Sequence, residues 1–174
     1  MKQLLVVDGY NIIHDWPELR ALTEKTGLDA ARDRLLETLA DYSGFYQLDV
    51  VVVFDAYKTD RMSLTLETRA GVEVVFTRKA ETADQYIERL VDSLDPRAVQ
   101  VRVATSDAVE QTVALGRGAI RMSARELQEE VRVARWERKQ VLERRVRVKP
   151  NTLGSLLPQE TLEAIARMIQ EGEE

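Results

Sequence analysis

The chain has 174 residues, of which 44% are hydrophobic and 32% charged, as expected for one globular domain with its own core. It contains no apolar run of the roughly 18 residues that a transmembrane helix needs, and its N-terminus enters strand sequence directly, so no signal peptide is expected. Cysteine is absent, which excludes disulfides, thiol catalysis and cysteine-bound zinc and fits a cytoplasmic protein. With a single histidine, His14, any metal must be held mainly by oxygen atoms, which favours Mg²⁺ or Mn²⁺.

The charge is unevenly distributed along the chain. The net charge is −5, yet the segment from Arg121 to Lys149 has ten Lys or Arg against five Glu, a local charge of +5 that leaves −10 on the remainder. Such asymmetry is typical of a polyanion-binding face on an acidic body. A solvated helix laced with ion pairs explains the segment equally well.

The stretch LLVVDGYN, Leu4 to Asn11, organises the rest of the prediction. Its continuous apolar run is typical of a strand covered on both faces, as in a parallel sheet. The run ends at Asp8, Gly9 and Asn11. Ligands of open parallel sheets bind outside the carboxyl ends of the strands, so a carboxylate at this position either caps a helix or belongs to a site.

Further apolar runs and helical patterns alternate along the chain. The runs predict four more strands, at Val50–Phe54, Val72–Phe76, Val99–Ala104 and Ala119–Met122. The polar stretch Tyr57–Gly71 between two of them predicts a long loop, with a partial helix as the alternative. Helical spacing and capping residues predict helices at Trp16–Thr23, Leu28–Tyr46, Thr82–Leu94, Ala108–Leu115, Ser123–Arg144 and Pro158–Gln170. This alternation predicts a three-layer α/β/α sandwich with a mostly parallel sheet.

Acidic residues follow several of the predicted strands. Asp8 and Asp55 each come directly after the apolar run of a strand, and Asp107 lies three residues after the strand Val99–Ala104. Glu81 and Asp84 lie one short loop after the strand Val72–Phe76. Because the carboxyl ends of parallel strands share one edge of the sheet, these carboxylates are expected to converge there. Their mutual repulsion and desolvation are costly unless a cation neutralises them, and carboxylates with water are ligands that Mg²⁺ accepts.

Of the acids that follow the third strand, Asp84 gives the strongest indication of a functional site. Ile87 and Val91 lie three and seven residues after it, so we expect Asp84 to begin the apolar stripe of its helix rather than face solvent. The alternative is that Asp84, Glu81 and Asp107 are acids favoured at helix starts by the helix dipole, at roughly 0.3–1 kcal/mol each.

Five short motifs, in order, carry a resemblance to a known family. The runs VVDGYN, FDA, ETAD, ATSD and SAREL between Leu4 and Val131 resemble those of the YacP-like group of NYN domains, relatives of the PIN-domain ribonucleases. The resemblance implies a PIN-like fold and metal-dependent endonucleolytic cleavage of RNA. It also implies mRNA as substrate and the translating ribosome as partner.

The resemblance assigns roles to particular residues. Asp8, Asp84 and Asp107 match its acidic metal-binding set, with Asn11 as the polar partner of the first aspartate; Glu81 and Asp55 match less closely. It implies a catalytic domain over residues 1–131, with residues 132–174 as a basic helical extension and a C-terminal helix packed on the same domain. Candidate RNA-phosphate contacts are the loop cations Lys58, Arg61, Arg78 and Lys79 and the basic segment that includes Arg144, Arg145, Arg147 and Lys149.

Other functions are distinguished by specific residues. A non-catalytic RNA-binding module with the same fold is the main alternative, and absence of a metal at Asp8 and Asp84 would favour it. An aspartate-nucleophile phosphatase would need a second acid two residues after the first, where this chain has Tyr10. No G-x-G-x-x-G follows any predicted strand, so neither a nicotinamide nor a flavin cofactor is expected.

Overall fold

The computed structural model describes residues 1–55, 64–106 and 118–147, with side chains described as far as residue 144. The chain divides into two compact units, Met1–Glu137 and Arg138–Glu174. The predicted helices at Ala108–Leu115 and Pro158–Gln170 lie outside the described residues. Among the described helices, none is both long enough and apolar enough to cross a membrane.

Six strands and five helices make up the described chain. The strands are β1 (Lys2–Asp8), β2 (Asp49–Phe54), β3 (Thr65–Arg69), β4 (Val72–Phe76), β5 (Val99–Ala104) and β6 (Ile120–Met122). The helices are α1 (Gly9–Asp15), α2 (Pro17–Thr26), α3 (Leu28–Tyr46), α4 (Ala83–Ser93) and α5 (Ala124–Arg147).

The strands form one sheet in the order β3-β4-β2-β1-β5-β6. All neighbouring pairs are parallel except β3 and β4. The chain moves outward from β1 to β2 and β4, and then returns to place β5 on the other side of β1. The sheet order therefore reverses between β1 and β5, and a crevice opens at such a point beyond the carboxyl ends of the strands.

Each face of the sheet has its own apolar core. One core contains Leu5, Val7, Val52 and Val74 of the sheet and receives the buried sides of α1, α2, α3 and α5. The other contains Val6, Val53 and Val75 and receives Ile87 and Val91 of α4. Alternate residues of the same strands thus serve opposite faces, and the predicted three-layer α/β/α sandwich is confirmed.

Local capping signals placed several helix starts correctly. Thr82 caps α4 through a capping box with Gln85, and Ser123 and Glu126 bond reciprocally at the start of α5. The α3 range agrees with its prediction, and Gly27, which ends α2, has the positive φ of 112° that favours glycine.

Two elements were not predicted. Gly9–Asp15 forms helix α1, because Asp8 caps it and Ile12 and Ile13 are fully buried. The stretch Thr65–Arg69, predicted as part of a loop, is the antiparallel edge strand β3. Its side chains are exposed or half-buried, so it lacks the apolar run that marked the central strands. Helix α5 also runs three residues past its predicted end, to Arg147.

The close contact of Gly9 with Phe54 makes a testable packing prediction. An added Cβ at Gly9 would lie 2.3 Å from Cε1 of the buried Phe54 ring. We expect Gly9→Ala to lower the free energy of unfolding by about 1–3 kcal/mol, as overpacking does, measured by urea denaturation.

Gly44 in α3 provides the matched control for this substitution. An added Cβ there meets no atom within 4 Å, so Gly44→Ala should stabilise the protein by about 0.5–1 kcal/mol through helix propensity. Equal effects of the two substitutions would show that Phe54 moves away from position 9 without cost.

Candidate functional site

Asp8 lies at the end of β1 and caps helix α1. Its Oδ1 accepts the backbone N–H of Asn11 at 3.1 Å, and its Oδ2 accepts the Asn11 side-chain amide at 2.9 Å. The same amide nitrogen also donates to Oγ1 of Thr105 at 3.3 Å. Thr105 directly follows β5 and is fully buried, so these contacts tie together the two strands at which the sheet order reverses.

Thr105 was not among the residues singled out from the sequence. It lies within the ATSD motif, next to the strand end, but a threonine after a strand is common and carries no charge. Only the pairing of β1 with β5, Val7 opposite Ala104, shows that its hydroxyl faces the Asp8–Asn11 pair.

The Asp8 carboxyl is in an unfavourable environment for a negative charge. It is only 5% exposed, and this burial raises its pKa from 3.8 to about 6, although the Asn11 backbone hydrogen bond acts in the opposite direction. The negative charges of Asp84 and Asp55 contribute to this rise of the pKa. A positive charge bound beside Asp8 would therefore compete with its proton.

Asp84 reaches Asp8 from the first turn of α4. The two carboxyl groups are close enough to share a hydrogen bond, which also raises the pKa of Asp8. The expectation that Asp84 begins the apolar stripe is wrong by one residue, because Ala83, Ile87 and Val91 are the buried side chains of α4 and Asp84 itself is exposed. The helix thus packs through Ala83 while it presents the next residue to the acid cluster.

Asp55 and Glu81 differ in their surroundings. Asp55 directly follows β2, and its charge acts on both Asp8 and the hydroxyl of Tyr10. Oε1 of Glu81 instead pairs with Nη2 of Arg89 at 2.5 Å. Its Oε2 is buried and has no hydrogen-bond partner within the described part of the chain. Asp55 therefore belongs electrostatically to the Asp8 cluster, whereas Glu81, which precedes α4, pairs with Arg89 of that helix.

Of the other residues predicted to belong to the site, some lie outside the described part of the chain and some within it. Asp107, Lys58, Arg61 and Lys149 lie outside the described residues, and Arg145 and Arg147 are placed in α5 by backbone alone. Arg78, Lys79 and Arg144 are exposed. Several cations of the basic segment are occupied within the protein, since Arg132 pairs with Glu129 and Arg135 donates to Oγ1 of Thr38.

The donor chemistry of this cluster fits a hard divalent cation. Within residues 1–55, 64–106 and 118–147, no three acidic or histidine side chains lie together in a group that could hold a metal ion. Mg²⁺, however, is often bound through one or two carboxylates with the remaining positions filled by water. The adjacent carboxyls of Asp8 and Asp84 supply such a pair, and a dication between them would remove the repulsion that raises the pKa of Asp8.

This repulsion makes a prediction about the titration of Asp8. In metal-free protein we expect the carboxyl ¹³C resonance of Asp8 to titrate near pH 6. Asp84→Asn should lower that midpoint because it removes a neighbouring charge, whereas Glu88→Gln, an exposed acid on the same helix, should not. An unchanged midpoint in Asp84→Asn would contradict the proximity of the two carboxyls.

Stability should change with pH for the same reason. Because the folded-state pKa lies above 3.8, the unfolded chain releases this proton first as the pH rises. The free energy of unfolding of metal-free protein should therefore be lower at a pH above 6 than at about pH 4. This group contributes on the order of 3 kcal/mol to the difference. Chemical denaturation of wild type and Asp84→Asn at both pH values measures it, and Asp84→Asn should show the smaller decrease.

Comparisons with known proteins agree with this architecture. The family model for the YacP-like NYN domain matches residues 5–170. The chain is 44% identical over 144 residues to YacP of Bacillus subtilis, an uncharacterized protein by its description, covering 83% of this chain and 81% of the relative. The crystal structure of Rae1 (YacP) from Bacillus subtilis matches with a TM-score of 0.72 and 37% identity, over 96% of this chain and 94% of the other.

A second crystal structure, of a tryptophan-to-leucine mutant of the same Bacillus subtilis protein, also matches with a TM-score of 0.72, at 39% identity over 87% of this chain and 88% of the other. The sheet described above thus has a PIN-like fold. With a family match over most of its length, the chain belongs to the YacP-like NYN domain family.

Proposed function

We propose that this chain is a divalent-metal-dependent endoribonuclease that hydrolyses RNA phosphodiester bonds. The observation that carries the proposal is that Asp84 and Asp55 both lie close enough to Asp8, at the carboxyl edge of a parallel sheet, for their charges to raise its pKa. Membership of a family with a PIN-like nuclease fold supports the same reaction class. A purely structural role would not explain why two acids from other elements lie near the buried Asp8 carboxyl.

In this proposal, the described residues hold and orient the reacting groups. Asp8 and Asp84 would hold Mg²⁺ or Mn²⁺, together with Asp107, which the family resemblance adds. A divalent ion bound there would lower the pKa of a coordinated water and stabilise negative charge on the phosphate oxygens. Asn11 fixes the orientation of Asp8 through two hydrogen bonds, and Thr105 restrains the Asn11 amide, as outer-shell partners of metal ligands do.

Two of the expected cations, Arg78 and Lys79, lie beside this edge. Arg78 and Lys79 follow β4 directly after Thr77 and are exposed, so we assign them to phosphates flanking the cleaved bond, together with Lys58 and Arg61. The end of the basic segment, with Arg144, Arg145, Arg147 and Lys149, would add a wider electrostatic contact that depends on salt.

The proposal also concerns the kind of RNA that is cleaved and the partner on which cleavage takes place. The family resemblance supports mRNA as the RNA and the ribosome as a partner, in the cytoplasm. Co-sedimentation with ribosomes, together with cleavage assays on naked and translated RNA, tests this part. Equal cleavage of both RNAs without co-sedimentation would exclude a ribosomal partner while leaving ribonuclease activity intact.

Asp84→Asn tests the catalytic proposal directly. The side chain is exposed, so the protein should fold normally, as checked by circular dichroism. Cleavage in Mg²⁺ or Mn²⁺ should decrease by more than the roughly 10- to 100-fold that loss of an outer-shell partner costs, measured by the appearance of internal fragments of a labelled RNA.

Glu88→Gln on the same helix is the charge-matched control and should cleave like wild type, and EDTA should abolish cleavage by both proteins. Near-wild-type cleavage by Asp84→Asn would exclude the assigned role. RNA binding by wild-type protein without cleavage in either metal would instead identify a non-catalytic RNA-binding module.

The basic segment makes a separate prediction about salt. Four Gln substitutions at Arg144, Arg145, Arg147 and Lys149 should weaken RNA binding and reduce the slope of log affinity against log salt by about 0.7 for each lost contact to single-stranded RNA. Fluorescence anisotropy in EDTA measures the slope. The control replaces four exposed cations elsewhere, Lys2, Arg20, Lys25 and Arg34; an equal slope in both variants would show that the segment has no special role.

A further inference from the structure

The guanidinium of Arg32 is held in an aromatic cage. Arg32 projects from α3, and its Cζ lies 6.0 Å from the centroid of the Phe54 ring and 5.7 Å from that of Phe76. The two rings stack at 5.5 Å, and Nη1 of Arg32 donates to the Tyr10 hydroxyl at 2.9 Å. Cation–π attraction and this hydrogen bond together restrain the side chain, so much of the entropy needed to position it is lost during folding and not on binding a ligand.

The cage lies at the same edge of the sheet as the acid cluster. Phe54 and Phe76 are the last residues of β2 and β4 and stand opposite each other in the register. Asp55 directly follows the first of them, and Tyr10 lies two residues after Asp8. The Arg32 guanidinium therefore stands over the carboxyl ends of the two strands that neighbour the acids, although it comes from a helix that no sequence motif connected to the site.

The acidic partner of Arg32 is weakly fixed. Nη2 pairs with Asp29, one turn earlier on α3. The Asp29 side chain is 86% exposed, whereas that of Arg32 is only 18% exposed. An exposed carboxylate contributes little to an ion pair, typically less than about 1 kcal/mol. Another anion from solution can therefore replace Asp29 at small cost, and the planar fork of an arginine matches the oxygens of a phosphate.

A second ion pair on the same helix shows what an ordinary surface pair looks like. Arg34 and Glu37 have the same spacing of three residues, at 3.5 Å, but their side chains are 56% and 67% exposed. Neither makes a described contact with an aromatic ring. The difference between the two pairs lies in the cage and in its position at the sheet edge.

We propose that Arg32 binds a phosphate of the RNA backbone beside the cleaved bond and that this phosphate takes the place of Asp29. This assignment rests on the proposed ribonuclease function. Arg32 would be a substrate-binding residue that fixes the register of the strand on the acid cluster. Asp29 would occupy the subsite in the free protein.

RNA binding in EDTA tests the assignment without cleavage. Anisotropy of a labelled single-stranded RNA is measured against KCl concentration for wild type, Arg32→Met, Arg32→Lys and Arg34→Met. Arg32→Met should weaken binding at low salt and reduce the log–log salt slope by about 0.7, the value of one phosphate contact. Arg32→Lys should retain the slope but bind less tightly, because the charge remains and the fork is lost. Arg34→Met should match wild type.

Asp29→Asn gives an independent readout that does not depend on the stability of an Arg32 variant. Its side chain is exposed, and its removal should tighten RNA binding about two- to fivefold, the range expected for release of an exposed pair. The gain should vanish in the Arg32→Met background, as a double-mutant cycle would show. Glu37→Gln, the matched loss of an acid, should act additively with Arg32→Met.

The outcomes separate this assignment from the function on which it rests. If wild type binds and cleaves RNA while Arg32→Met keeps the wild-type RNA affinity and salt slope, Arg32 does not bind a phosphate and the assignment is wrong. Equal gains from Asp29→Asn with and without Arg32 would overturn it as well. Failure of wild-type protein to bind any RNA would instead overturn the proposed function.

Discussion

The burial of the Asp8 carboxyl at the end of a central strand is the constraint on which the site depends. A charged group in this position is unfavourable, and its two hydrogen bonds from Asn11 offset only part of the cost, since its pKa remains raised to about 6. The neighbouring acids increase the cost instead of relieving it. Such an arrangement stabilises nothing by itself, and in the proposed function a bound cation would offset its cost.

The order of the strands determines which residues meet Asp8. Because β1 lies between β2 and β5, the carboxyl ends of both neighbouring strands lie beside the carboxyl end of β1. Asp55 arrives from one side and Thr105 from the other, while α4 on the opposite face brings Asp84. No two of these residues are close in sequence, so the site exists only once the parallel sheet has formed.

Much of this could be predicted from the sequence, for identifiable reasons. Strands β1 and β2 contain continuous apolar runs because both faces are covered, while β4 and β5 are mostly apolar with polar residues between. The acids at the ends of β1 and β2 follow from the location of the strand ends. Helix α1 was missed because Gly9 and Asn11 resemble a turn, and β3 because an exposed edge strand has no apolar run. The position of Asp84 on its helix was misjudged by one residue, since Ala83 also fits the buried stripe. Thr105 and Arg32 depend on contacts between distant segments, which periodicity does not encode.

The four residues from Asp8 to Asn11 connect the acid cluster to the aromatic cage around Arg32. Asp8 supplies the acid and Asn11 orients it. Between them, Gly9 leaves the space that the Phe54 ring occupies, and Tyr10 packs on that ring at 5.0 Å and accepts the hydrogen bond from Arg32. One short turn of helix thus contacts the acid cluster through its first and last residues and the arginine cage through its middle two. A displacement of α1 would move both together, so the backbone of this turn would set the distance between the proposed cation and the proposed phosphate.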